Sequence, residues 1–234
     1  MSNEAPNKAL NAEIEAQICA VGLERDKPVV ICDVDEVLFQ FLIPLERFFA
    51  DVGYRLEMHS NASLFGNVYA TGSETPIGDK EVSTLLHKFY DRDVESQPPI
   101  PGAAAALAGL SKRASVVIIT NLPAAYGSRR QRALRAHGMN YPLIINSGPK
   151  GIALTRLLHE HRAPSFFIED MHTHLVSAAR IEGLHCVQFA ADRRLVRLVE
   201  RAENAHQVKG WGPAVRYIEA RLDQAGRTSV TSGM

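Results

Sequence analysis

Cysteine is scarce. Cys19, Cys32 and Cys186 are the only three in 234 residues, and no two of them form a C-x-x-C pair. That spacing argues against a disulfide framework and a zinc site, and makes a reducing, cytoplasmic location the simpler expectation. Net charge is also lacking: 26 basic residues balance 26 acidic ones. No global field therefore draws the chain to nucleic acid, an anionic membrane or an acidic partner. No apolar run approaches the roughly 20 residues of a membrane span. The polar start, Met1-Ser-Asn-Glu-Ala-Pro-Asn-Lys, lacks the basic stretch and apolar core of a secretory signal. Without secretion, the glycosylation pattern Asn61-Ala62-Ser63 is fortuitous. Arg129, Arg130, Arg132 and Arg135, and again Arg193, Arg194, Arg197 and Arg201, recur at helical spacing among apolar residues and read as solvated helix faces.

What is present is a repeated grammar of short apolar runs that end abruptly in polar residues. Pro28 opens Val29-Val-Ile-Cys32, which stops at Asp33; Ser115-Val-Val-Ile-Ile stops at Thr120-Asn121; Ser165-Phe-Phe-Ile stops at Glu169-Asp170. Pro142–Asn146 and Leu184–Phe189 read as further strands. Helical patterns fill the intervals: Pro101–Lys112, Ala124–His137, Ile152–Arg162, His172–Ile181 and Asp192–Ala202. This alternation predicts an α/β parallel sheet flanked by helices. Leu10, Ile14, Ile18 and Val21 predict a helix before the first strand.

Residues 41–98 break the alternation with aromatics and two helical patterns, Leu45–Val52 and Lys80–Tyr90. They are too long for an ordinary connection and read as an inserted, mainly helical subdomain. The expected organisation is a helical extension over 1–24, a core formed by 25–40 and 99–225, the insert over 41–98, and a flexible tail over 226–234 after a last helix, Ala214–Leu222.

In an open parallel sheet, ligands bind outside the carboxyl ends of the strands. Those ends carry Asp33 and Asp35, Thr120 and Asn121, and Glu169 and Asp170. Lys150, between Gly148-Pro149 and Gly151, stands at a predicted helix start, where its ammonium adds to the positive end of the helix dipole. A carboxylate attacking a phosphoryl group needs its repulsion neutralised by a metal ion and a fixed cation. Magnesium suits a few carboxylate oxygens and water. Asp33 is then the candidate nucleophile, and Asp35, two residues on and expected on the same side, the acid/base group. Taken singly, the acids could merely cap a helix and Thr120-Asn121 could form a turn before Pro123. Gly148-Pro149-Lys150-Gly151 lacks the spacing of a nucleotide-binding P-loop.

The four elements in this order resemble the haloacid dehalogenase-like superfamily of aspartate-nucleophile phosphatases. Asp33-Val34-Asp35-Glu36-Val37-Leu38 fits its D-x-D-x-[TV]-[LV] motif. Thr120, Lys150 and Glu169-Asp170 fit its second, third and fourth motifs over roughly residues 28–190. The resemblance implies a Rossmannoid parallel sheet with a type-one helical cap after the first strand, and magnesium as cofactor. It implies hydrolysis of a small phosphorylated metabolite through an aspartyl-phosphate on Asp33. Thr120, Asn121 and Lys150 would hold phosphate, and Asp33, Asp35, Glu169 and Asp170 are the candidate metal ligands, Asp170 ahead of Glu169. Alternatives are phosphoglucomutase-like transfer and a catalytically weak phospho-ligand-binding protein. Glu36, where many relatives have glycine, reads as a solvated turn residue. His172 and His174, like His159 and His161, read as polar surface or loop residues, and His87, Lys88, Tyr90 and Arg92 are cap candidates for substrate contact.

Overall fold

The computed structural model describes residues 10–58, 64–190 and 200–231, with side chains as far as residue 227. Its centre is a six-stranded sheet in the order β5-β4-β1-β6-β7-β8, with every pairing parallel. The strands are β1 (Val29–Cys32), β4 (Ser115–Asn121), β5 (Leu143–Asn146), β6 (Ser165–Glu169), β7 (Leu184–Phe189) and β8 (Ala205–Val208). β1 lies between β4 and β6, so the chain reverses its winding direction there.

Both faces of β1 are covered, which is why its sequence is an unbroken apolar run rather than an alternating one. Val30, Cys32, Val116, Ile118, Phe166 and Ile168 face one core, together with α4 (Ala103–Leu110), α5 (Gly127–Ala136) and α8, which starts at Trp211. Val29, Ile31, Val117, Ile119 and Phe167 face the other, with α1 (Ala12–Val21), α6 (Lys150–Leu157) and α7 (His172–Ala178). The side-chain period of two along each strand divides the two cores. Asn11 caps α1 by accepting the Glu13 N–H at 2.8 Å, and Gly22 ends it in the left-handed region at φ 61°.

Residues 41–98 leave and re-enter the core side by side. The Gln40 N–H donates to Pro98 O at 2.8 Å, the Ile100 N–H to Leu38 O at 2.8 Å, and the Gln97 side chain to Gln40 O at 2.9 Å. Between these crossings lie α2 (Leu42–Asp51), α3 (Asp79–Asp93) and an antiparallel pair, β2 (Tyr54–Leu56) and β3 (Val68–Ala70). The sequence patterns gave no sign of that two-stranded sheet. Leu45, Phe48, Phe49, Val82 and Phe89 form a third apolar cluster, joined by Leu122 and Tyr126 of the loop after β4. Phe49 and Phe89 are wholly buried, and each such side chain is worth about 1.5–3 kcal/mol.

Two other expectations differ from the structure. The last helix, α8, runs from Trp211 to Thr231, so residues 226–231 continue a helix where a flexible tail was expected. It is anchored at its start, where Trp211 Nε1 donates to Val37 O at 2.9 Å. Of the expected helix Asp192–Ala202, residues up to 199, with Arg193, Arg194 and Arg197, lie outside the described residues; 200–202 are not helical and Arg201 is exposed. Asn61-Ala62-Ser63 also lies outside them.

Candidate active site

The carboxyl ends of β1, β4 and β6 open into one cavity of about 610 Å³ between the sheet and the insert. It is lined by Asp33, Asp35, Thr120, Asn121, Lys150 and Asp170. The structure thus places every sequence-predicted site residue on the cavity wall except Glu169, which has no exposed surface and joins the group from beneath through Lys150.

Asp33 continues the ladder of β1, its N–H donating to Ile168 O at 2.9 Å. Its side chain meets Lys150 Nζ at 2.5 Å, and the same ammonium donates to Glu169 Oε2 at 2.6 Å. Glu169 Oε1 accepts the Met171 N–H at 3.1 Å, so both of its oxygens are committed. Burial works against the charge on Lys150, but the Asp33 and Glu169 carboxylates outweigh it and hold the ammonium above the usual lysine range. Burial, reinforced by the charge of Glu169 and opposed by Lys150, pushes Asp33 up to about 6. Burial, with Glu169 and Asp33 beside it, raises Asp170 well above the ordinary aspartate value.

The position of Lys150 is set from behind. Gly151 packs so closely on α7 that a Cβ there would lie 2.1 Å from the Ser177 carbonyl oxygen, and its N–H donates to Ser177 Oγ at 3.0 Å. In front, Asn146 Nδ2 donates to Asn121 Oδ1 at 2.8 Å and to Gly148 O at 3.0 Å, while Asn121 Nδ2 donates to Gly148 O at 2.9 Å. The Asn121 amide therefore fastens the loop before Lys150. Thr120 is 1 % exposed near the end of β4. Asn146 was not singled out in the sequence, although it ends its strand just as Asn121 does.

Asp35 does not share the surroundings of Asp33. The ladder stops at Asp33 and the chain turns tightly, with Val34 O accepting from the N–H groups of Val37, Leu38 and Phe39. Strand alternation therefore no longer governs the direction of Asp35. Its Oδ1 accepts from Arg130 Nη2 at 3.0 Å on α5, the helix on the opposite face of the sheet from Lys150. Gln97 Nε2 and Tyr90 OH approach it at 3.4 and 3.5 Å. Burial and the charge of Asp33 raise Asp35 above the usual range, against the pull of Arg130.

Arg130 corrects the reading of its cluster as a solvated face: it is fully buried, with its guanidinium over the Phe39 ring. Arg129 and Arg132 do lie outside, both paired with Glu95. The signal available was spacing, since Arg130 precedes the buried Ala133 and Leu134 by three and four residues.

Glu36 and His174 also depart from expectation. Glu36 is 5 % exposed at φ 59°, and its Oε1 accepts the N–H groups of Phe41 and Leu42 at 2.8 and 2.7 Å, capping α2. His174 is buried in the cavity wall with Nε2 3.4 Å from Asn121 Nδ2, and burial with the nearby Lys150 charge lowers it to about 4. His172, half-buried, also lines the cavity. Of His87, Lys88, Tyr90 and Arg92, Tyr90 faces the cavity; Arg92 pairs with Asp51 and Asp93, and His87 contacts Tyr126.

Among the described residues, Asp33, Glu169 and Asp170 offer oxygens within 4.8 Å of one another, a set that does not include Asp35. Asp33 and Asp170 both resist ionisation, and the one ammonium beside them, Lys150, is engaged by Asp33 and Glu169, so a divalent cation would supply the missing positive charge. An all-oxygen donor set suits magnesium.

No protein-family model and no curated protein matches the sequence. Solved structures match the fold. A conserved haloacid dehalogenase-like protein of unknown function from Agrobacterium tumefaciens is 16% identical, with a TM-score of 0.57 over 82% of this chain and 98% of that one. A hydrolase of the haloacid dehalogenase-like family from Streptococcus pneumoniae is 14% identical, with a TM-score of 0.56 over 82% and 98%. A haloacid dehalogenase-type protein from Bacillus subtilis, solved bound to magnesium, is 15% identical, with a TM-score of 0.56 over 84% and 100%. The chain therefore has the haloacid dehalogenase-like fold, a Rossmannoid parallel sheet flanked by helices.

Proposed function

We propose that the chain is a magnesium-dependent hydrolase of small phosphomonoesters that works through an aspartyl-phosphate on Asp33. The observation that carries this reading is the buried ammonium of Lys150, fixed at 2.5 Å from Asp33 and 2.6 Å from Glu169. A carboxylate beside a rigid cation at a strand end is suited to approach a phosphoryl group whose charge would otherwise repel it.

Asp33 attacks phosphorus and releases the alkoxide. Asp35, two residues on and raised above the ordinary aspartate value, protonates that oxygen and then takes a proton from the water that hydrolyses the acyl-phosphate. The Thr120 hydroxyl and Lys150 hold the phosphoryl oxygens, and Asn121 keeps the Lys150 loop in place. Asp33 and Asp170 would hold magnesium, with Glu169 anchoring Lys150 instead. The metal, when bound, neutralises charge on the transferring group. Residues 41–98 serve as the cap over the site.

The test is magnesium-dependent release of phosphate from p-nitrophenyl phosphate. Activity should vanish with chelator and in Asp33→Asn, while circular dichroism shows that variant folded. Robust turnover by Asp33→Asn would sink the assignment.

A further inference from the structure

The same cavity narrows the substrate class, an inference that rests on the reading of Asp33 as a phosphate-attacking group. Away from Asp33, the wall changes character. Phe41 and Leu42 at the start of α2, Leu64, Phe65, Leu86 on α3 and Met171 after β6 face the space. Phe65 is 47 % exposed and Met171 40 % exposed, large apolar side chains left uncovered at the mouth of a charged site. A cavity lined largely by apolar side chains around a few convergent polar groups is the usual form of a site for an organic molecule.

The charges present reinforce the point. Among the described residues lining the cavity, Lys150 is the only lysine or arginine, and it already faces Asp33 and Glu169. The remaining carboxyl side chains of the wall are Asp35, Glu36, Asp170 and Glu200. Among the described residues of the wall, a leaving group carrying a carboxylate or a second phosphate would meet these acids with no further lysine or arginine to pair with. A polyol would bury hydroxyls against Phe41, Leu42, Phe65 and Leu86, and each unpaired hydroxyl costs on the order of 1–3 kcal/mol. At about 610 Å³ the space exceeds what a phosphoryl group occupies and falls in the range of sites for whole organic molecules.

We propose that the substrates are phosphate monoesters with an apolar organic part, an aryl or unbranched alkyl group seated against Phe41, Leu42, Phe65 and Leu86, and that sugar phosphates and phosphorylated short carboxylic acids are discriminated against. The phosphoryl group lies at Asp33, and the ester oxygen passes Asp35 on its way to the apolar wall.

The experiment has a kinetic and a binding arm. In the first, kcat/KM is measured with magnesium for the series from ethyl to octyl phosphate, and for glucose 6-phosphate and phosphoglycolate. It should rise by about fourfold for each methylene until the wall is covered, with the two polar substrates at or below ethyl phosphate. In Phe65→Ser the preference for octyl over ethyl phosphate should shrink by about tenfold. A flat series, or a preference for either polar substrate, overturns the proposal. In the second, calorimetry compares ethylphosphonate with octylphosphonate, neither of which can be hydrolysed at its P–C bond. Tighter binding of octylphosphonate without turnover of any ester supports the apolar wall and removes the hydrolase reading. Turnover with equal binding of the two phosphonates retains the hydrolase reading and removes the apolar one.

Discussion

Arg130 donates from Nη2 to Asp35 Oδ1 at 3.0 Å while its whole side chain is buried. Its Nε and Nη1 have no hydrogen-bond partner among the described residues, so Asp35 is the carboxylate that balances this charge. Removing one member of a buried pair strands the other. Asp35→Ala should therefore cost about 3–5 kcal/mol of stability in urea denaturation, far more than a small side chain would contribute by packing. Asp35→Leu combined with Arg130→Met should recover most of it. A loss below about 1 kcal/mol in Asp35→Ala would mean that solvent screens the pair. Activity lost in Asp35 variants must accordingly be read beside their stability.

That pair also shows what could be read from the sequence. β1, β4 and β6 were legible because each is an apolar run buried on both faces and cut off by a polar residue at the ligand-binding edge. The same edges placed Asp33, Thr120 and Asp170 around one cavity with Lys150. β8 was not legible: Ala205-His-Gln-Val has one partner strand and two exposed residues, so it carries no apolar run. Arg130 was hidden because Arg132 is exposed and Arg129 half-buried, and a basic helix reads as solvated unless its phase against Ala133 and Leu134 is followed. The cap formed by Glu36 depends on the turn after Asp33, a long-range consequence of folding.

Glu36 joins two opposing effects. It stands in the left-handed region at φ 59°, which costs a non-glycine residue roughly 1 kcal/mol, yet its carboxylate satisfies two N–H groups at the start of α2. Glu36→Ala keeps the strain and loses the cap, and should cost about 2–3 kcal/mol in urea denaturation. Glu36→Gly relieves the strain and should lose less. Glu36→Gln keeps an acceptor oxygen and should lose least. An alanine variant as stable as the glutamine one would show that the cap contributes nothing.

Gly151 offers a test of how the position of Lys150 is fixed. A Cβ at this position would fall 2.1 Å from Ser177 O and 2.5 Å from its carbonyl carbon, both backbone atoms that cannot rotate away. Gly151→Ala should push α6 from α7 and lower stability by about 1–3 kcal/mol, despite the better helix propensity of alanine. Because Lys150 is the preceding residue, kcat on p-nitrophenyl phosphate should fall as well. Wild-type melting and kcat in this variant would show that the helices have room to separate.

Asp33 ties stability to pH and metal. In the metal-free protein, burial and Glu169 raise it from the usual 3.8 to about 6. Between those values the folded state holds a proton that the unfolded state has released, so its contribution to stability is present at low pH and lost as pH rises through about 6. Asp35 and Asp170, also raised, act in the same sense, and a lowered histidine acts in the opposite one. His174, lowered to about 4, favours the folded state as pH rises above its own value, so the pH profile of the wild type alone mixes the two. In Asp33→Asn the amide stands in for the protonated acid while His174 titrates in both proteins, so the difference between them reports Asp33 together with its charge's effect on Asp35 and Asp170. Without metal, Asp33→Asn should gain stability over the wild type as pH rises from about 4 to above 6, by on the order of 2 kcal/mol. Magnesium should reverse the order near neutrality by stabilising the wild type more than the variant, and its effect on the wild type should weaken below about pH 5 as the ligand acids take up protons. Thermal melts of both proteins across this range, with magnesium and with chelator, measure every term. A difference between the two metal-free proteins that does not change with pH would show that Asp33 is not raised by its neighbours.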